Sequence, residues 1–215
     1  KGLLLVISGF SGAGKGTVVK RLLEQHNDYA LSISATTRSP REGEQDGREY
    51  FFKSKEEFEK MIEASELIEY AIFMLMPIHI AITMTTAVHI IAIEEQLKEG
   101  KNVILEIEIQ GALNIKSMFP DAVLLFIMPP SAKELERRLV GRGTEDEATI
   151  RARLSRASEE AQGVENYNYI VINDDVDTCV ETIDSIVKSE KRKAANNINL
   201  INNIKEELKA YSKGE

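Results

Sequence analysis

Cysteine is nearly missing from this chain. Cys179 stands alone in 215 residues, so no internal disulfide can form and nothing ties the sequence to an oxidising compartment. Positive charge is in deficit too: 27 Lys and Arg face 35 Asp and Glu, a net charge of -8 that argues against general nucleic-acid binding. No internal repeat or flexible linker breaks the chain, and its first residues read as a strand rather than as a basic, apolar, cleavable leader. These absences predict a cytoplasmic protein with neither nucleic acid nor membrane as partner. The last absence is local, since no residue between Glu69 and Glu94 carries a formal charge.

What is present bounds the fold. A hydrophobic content of 43% lets the chain bury a sizeable core, as one domain or one domain with small inserted lobes. Its organising stretch is Gly9-Phe10-Ser11-Gly12-Ala13-Gly14-Lys15-Gly16-Thr17, placed between the apolar run Leu3 to Ile7 and the helical pattern Val18, Val19, Leu22, Leu23. A strand, a glycine turn and a helix start make a phosphate cradle, because glycines let backbone N–H groups converge while the helix N-terminus adds partial positive charge. The spacing Gly-x4-Gly-Lys predicts a nucleoside triphosphate site formed by Ser11, Gly12, Ala13, Gly14, Lys15, Gly16 and Thr17. Gly16 stands where a magnesium-binding Ser or Thr is usual, with Thr17 one residue later.

Further along, Ser34-Ala35-Thr36-Thr37-Arg38-Ser39-Pro40-Arg41 sets two arginines three apart beside hydroxyl residues, which suits a phosphate gripped by fork-shaped donors. With the glycine loop, this stretch and the following Gly43-Glu44, Gly47, Tyr50 and Phe52 resemble the guanylate kinases. The resemblance continues through Glu106 to Ala112, Pro129-Pro130-Ser131, Gly141-Arg142-Gly143-Thr144 and Asn173-Asp174-Asp175, covering roughly residues 2 to 71 and 94 to 190. It implies that Ser34, Arg38, Arg41 and Tyr50 bind the GMP phosphate, and that Glu69 accepts hydrogen bonds from the guanine edge. A carboxylate suits a base presenting adjacent N–H donors. Glu108 takes the place of a family Asp and is expected to contact the acceptor or hydrated magnesium, while Asn173 falls on the adenine-side loop of ATP.

Six arginines, Arg137, Arg138, Arg142, Arg151, Arg153 and Arg156, crowd into 20 residues around Gly141 and Gly143. Phosphoryl transfer needs positive charge spread over the moving group's oxygens, so an arginine-bearing lid serves neutralisation and water exclusion. By resemblance Arg138, Arg142 and Arg153 do this with Lys15; in its resting form the lid can park its charges on Glu134, Glu136, Glu145, Asp146 and Glu147.

The uncharged run departs from the resemblance. Ile72 to Ile93 holds no Tyr and no Gly, where guanylate kinases carry a short segment with a phosphate-binding tyrosine and a base-reading hydroxyl. A membrane span, a diverged β-rich substrate lobe and residues that do not belong with their flanks are the three readings of it. His79 and His89 lack neighbouring Cys, Asp or Glu, so no metal is assigned there.

Strands are expected at Val103 to Ile109, Ala122 to Met128 and Tyr169 to Ile172, with helices started by Ser131 and Asp177 and a terminal helix or tail over 194–215. Strand-loop-helix units in series predict a three-layer α/β P-loop kinase core with a parallel sheet, residues 1–35 and 94–193. A GMP-binding lobe over 36–93 and a lid at about 137–160 are inserted in it. The expected reaction is ATP + GMP giving ADP + GDP with Mg2+. The alternatives are a catalytically impaired binding module or a nucleoside monophosphate kinase of another base preference.

Overall fold

Successive side chains of a strand face opposite sides of its sheet. In β1, Leu4–Gly9, this alternation sends Leu5 and Ile7 into one buried cluster and Leu4 and Val6 into another. Such two-sided burial requires a layer of helices on each face, as a parallel sheet demands.

The computed structural model describes residues 2–37, 39–40, 44–47, 50–64, 67–73, 84–141 and 146–212. After β1 come α1 (Lys15–Gln25), β2 (Tyr29–Leu31), β3 (Ser34–Thr36), β4 (Phe51–Phe52), α2 (Lys55–Glu63), β5 (Leu67–Phe73) and β6 (Met84–His89). Then follow α3 (Ile90–Lys98), β7 (Asn102–Glu106), α4 (Ile109–Met118), β8 (Val123–Met128), α5 (Ala132–Val140), α6 (Glu147–Glu160), β9 (Tyr169–Ile172), α7 (Val176–Lys191) and α8 (Ile198–Ser212).

Five parallel strands in the order β2-β7-β1-β8-β9 form the main sheet, with β1 at its centre. On one face α1 and α7 bury Val18, Leu22, Val180 and Ile183; on the other α3 and α4 bury Ile93, Leu97, Ala112 and Ile115. This is the three-layer α/β architecture expected. A second, mixed sheet has the order β4-β3-β6-β5 and packs Ala35 on Phe58 of α2, whose start is closed by a full capping box between Ser54 and Glu57.

Several boundaries differ from expectation. The strand expected to run to Ile109 ends at Glu106, because Glu108 already takes the N-cap position of α4. Asp175, not Asp177, caps α7: its carboxylate accepts from the Thr178 N–H at 2.9 Å, while Asp177 reaches across to Arg21 at 2.7 Å and Gln25 at 3.0 Å on α1. The uncharged run supplies the end of β5, all of β6 and the start of α3, the β-rich form among its three readings; residues 74–83, His79 included, lie outside the described residues. Among the described residues, no helix is long and apolar enough to cross a membrane. Past α7 the chain continues as the helix α8.

Candidate active site

The loop leaving β1 is shaped by two backbone positions that L side chains avoid. Gly12 and Gly14 take φ of 92° and 90°. Added Cβ atoms there would meet Leu139 Cδ2 at 2.8 Å and Asn173 Nδ2 at 2.6 Å, so the loop has room only for glycine where α5 and the end of β9 close on it. Lys15 opens α1 and donates from Nζ to the Gly9 carbonyl at 2.7 Å, bending its ammonium back over the turn.

Two further groups converge on this turn. The Asn173 side chain, buried just past β9, donates from Nδ2 to the Ala13 carbonyl at 2.8 Å. Arg138 on α5 donates to the Asn173 carbonyl at 2.8 Å and to the Ala13 carbonyl at 3.4 Å, while its Nε is fixed by Glu134 at 2.7 Å. Glu134 therefore steers Arg138, and the two guanidiniums of Arg137 and Arg138 bring its carboxyl down to about 2. Serving these arginines, Glu134 leaves the capping box at Ser131 half made: Ser131 Oγ accepts the Glu134 N–H, with no reciprocal bond from the glutamate.

Charge near the loop is set by a residue that the sequence reading passed over. Glu106 ends β7 in register with Ile7 of β1, and its Oε1 lies 4.0 Å from a Cβ built on Gly16. The carboxylate thus reaches toward the position where other P-loops carry a hydroxyl. Water still touches Glu106, but the surrounding protein displaces enough solvent to raise its pKa, against the pull of Lys15. The same crowding lowers the Lys15 pKa, opposed by Glu106, Glu160 and Glu108. The available signal was position, a carboxylate at the C-terminal end of the strand beside β1, where open α/β sheets bind ligands.

Glu108 is exposed at the start of α4 and accepts from Arg156 of α6 at 2.7 Å; Arg156 also donates to Glu160 at 3.1 Å. These residues border an open cavity of about 420 Å³. Arg153 is half-buried on α6, and Arg151 is paired with Glu147. Helices α5 and α6 pack together through Leu139, Leu154 and Ala157 and rest on Phe10 of the loop, so the arginine-bearing pair is seated directly on the phosphate cradle.

On the second sheet, β3 carries Ser34 and β5 carries Glu69. Tyr50 sits half-buried after a turn at Gly47, its ring 6.0 Å from that of Phe52. Ser11, Gly16 and Thr17 lie on the loop and first helical turn as expected; Arg38, Arg41 and Arg142 fall outside the described residues.

A glycine turn at the C-terminal end of a central parallel strand, bearing a lysine and roofed by arginine-carrying helices, defines a P-loop phosphotransferase. A family model described as Guanylate kinase matches residues 1–190. The chain is 50% identical over 209 residues to the guanylate kinase of Clostridioides difficile (97% of this chain, 98% of the relative) and 49% identical to that of Caldanaerobacter subterraneus (96% and 97%). This chain belongs to the guanylate kinase family, enzymes that are ATP:GMP phosphotransferases. The crystal structure of guanylate kinase from Anaplasma phagocytophilum superposes with a TM-score of 0.67 at 31% identity, over 91% of this chain and 89% of that one.

Proposed function

We propose that this chain moves the γ-phosphoryl group of ATP onto GMP, releasing ADP and GDP. The observation that supports it is the convergence of Lys15, Arg138 and Asn173 on the turn after β1. An oxygen of the GMP phosphate, already anionic at neutral pH, forms the new bond to the γ-phosphorus while the bond to the β–γ bridging oxygen breaks; its electron pair leaves with ADP. No side chain has to take a proton, so positioning and electrostatics carry the rate.

In this reading Lys15 and the backbone N–H groups of Ser11 to Thr17 hold the β- and γ-phosphates, and Asn173 borders the adenine side. Arg138, Arg142 and Arg153 neutralise the moving group. Ser34, Arg38, Arg41 and Tyr50 aim the acceptor phosphate, Glu69 reads the guanine edge, and Glu108 serves the acceptor from the start of α4. The lobe over about 36–93 and the lid over about 137–160 bring these groups to the core. The donors beside Gly16 fit a hydrated Mg2+ held mainly by nucleotide phosphates: the Glu106 carboxylate and the Thr17 hydroxyl of the exposed first turn. Such an ion, when bound, neutralises phosphate charge. Cytoplasmic residence belongs to the same proposal.

The test is ADP release from ATP and Mg2+ with GMP, dGMP, AMP or UMP as acceptor. Turnover on the order of 1–100 s⁻¹ with GMP is expected, with AMP and UMP far slower. A folded sample that does not turn over millimolar GMP would point instead to a silent binding module, and equal rates on all four acceptors would remove Glu69 from its role.

A further inference from the structure

Arg156 on α6 ties together two carboxylates that belong to different helices. Its Nη2 donates to Glu108 at the start of α4 at 2.7 Å, and its Nε donates to Glu160 at the end of α6 at 3.1 Å. Arg137 and Arg151, by contrast, pair with glutamates of their own helices, Glu134 and Glu147. Glu108 stands at the N-cap of α4, where unpaired N–H groups favour a carboxylate, yet its side chain bonds none of them. The arginine takes it instead.

Packing fixes this meeting. After α6 a 3-10 turn, Ala161–Asn166, sets Gly163 against the first residue of α4, so closely that an added Cβ would stand 3.0 Å from Ile109 Cγ2. The C-terminal end of α6 is therefore seated on α4, and Arg156 faces Glu108 from that seated end.

An ion pair this exposed adds little to a fold: 56% of the Arg156 side chain and 76% of the Glu108 side chain meet solvent. Its consequence is for the site. Glu106, Glu160 and Glu108 all bear on the Lys15 ammonium, so carboxylates border the place where phosphates gather, and Arg156 is bonded to two of them. Left bare, those two would repel an anion approaching Lys15. Paired, they are neutralised and held by one planar fork, which an ammonium cannot reproduce. Resting on the reaction proposed above, we infer that Arg156 is a positioning residue for the acceptor: it holds Glu108 in place at the start of α4 and discharges the acidic border of the phosphate site, so that GMP can enter beside a loop loaded with ATP.

GMP saturation curves at fixed ATP and Mg2+, with calorimetric titration of GMP beside them, test this in low and high salt. Arg156→Gln should raise the KM and the Kd for GMP about threefold to tenfold, with kcat within about twofold and the urea midpoint nearly unmoved. The rise should shrink in high salt, where exposed charges are screened. Arg156→Lys should fall between the two proteins, because it restores the charge without the fork. Glu160→Gln added to Arg156→Gln should recover part of the loss, because one bare carboxylate is gone. An Arg156→Gln protein with unchanged KM and Kd overturns the proposal, as does a loss that falls on kcat alone, ignores salt or is not eased by Glu160→Gln. A wild type that takes another nucleoside monophosphate in place of GMP defeats the reaction assigned above, and Arg156 is then read on the acceptor used; one that binds none defeats both.

Discussion

Lys15 and Glu106 are opposite charges at the mouth of the loop, and the protein packed around them pushes each toward its neutral form. The folded pKa of Glu106 is raised from 4.5, so its contribution to stability falls as pH rises from 4.5 through the raised value. Lys15 is lowered from 10.5, and its contribution grows as pH rises from the lowered value toward 10.5. Burial thus works against the charge on each, and their mutual attraction works against burial. Lys15→Ala should cut turnover by orders of magnitude while the chain unfolds at no lower temperature, which calorimetry beside the ADP assay reads directly. A large drop in Tm would mean that the lysine serves the fold. Glycine demands are equally local: Gly14→Ala forces φ near 90° on an L residue against Asn173, and should cost at least about 1–2 kcal/mol in denaturant titration as well as activity. The glycine loop could be read from the chain because its spacing is set by backbone geometry. Glu106 was passed over although it ends an apolar strand, because what sets it beside the loop is its register with Ile7, a pairing that exists only after folding.

At the scale of elements, α7 separates a capping aspartate from a bridging one. The stretch Asp174-Asp175-Val176-Asp177 offers three acidic candidates, and sequence spacing does not choose among them. Asp177 is drawn away by Arg21 and Gln25 of α1, leaving Asp175 to accept from the Thr178 N–H and hydroxyl, both at 2.9 Å. Asp175→Ala should lower the urea midpoint more than Asp177→Ala, whose exposed pair is screened and should weaken further in high salt. Urea titrations at low and high ionic strength separate the two; equal salt dependence would mean that both act as ion-pair partners. The uncharged run was opaque for another reason. Between β6 and α3 the chain passes from His89 to Ile90 with no glycine, proline or charge between them, so neither period nor punctuation marks the change. By contrast Ile93 and Leu97, spaced four apart ahead of Gly100 at φ 88°, made the end of α3 plain.

For the whole molecule, the parallel core was legible because both faces of each central strand are apolar, which only a helix-covered sheet tolerates; the second sheet was not, since β3 and β4 are only three and two residues long, too short to show a period. The two sheets also divide the proposed work, with the ATP phosphates at the end of β1 and GMP toward the strands that carry Ser34 and Glu69. Binding at separate places leaves a thermodynamic trace. A ligand that binds only the folded chain adds about 2.7 kcal/mol at one hundred times its Kd, or roughly 5–10 °C in Tm for a chain of this size. ATP with Mg2+ and GMP should each raise the Tm of the wild type when given alone. In Lys15→Ala the ATP response should shrink, because the ammonium that bends over the turn is gone, while the GMP response persists. Differential scanning fluorimetry of the two proteins with each nucleotide decides it: loss of both responses together would mean that the nucleotides share one site, and the division of labour between the sheets would have to be given up.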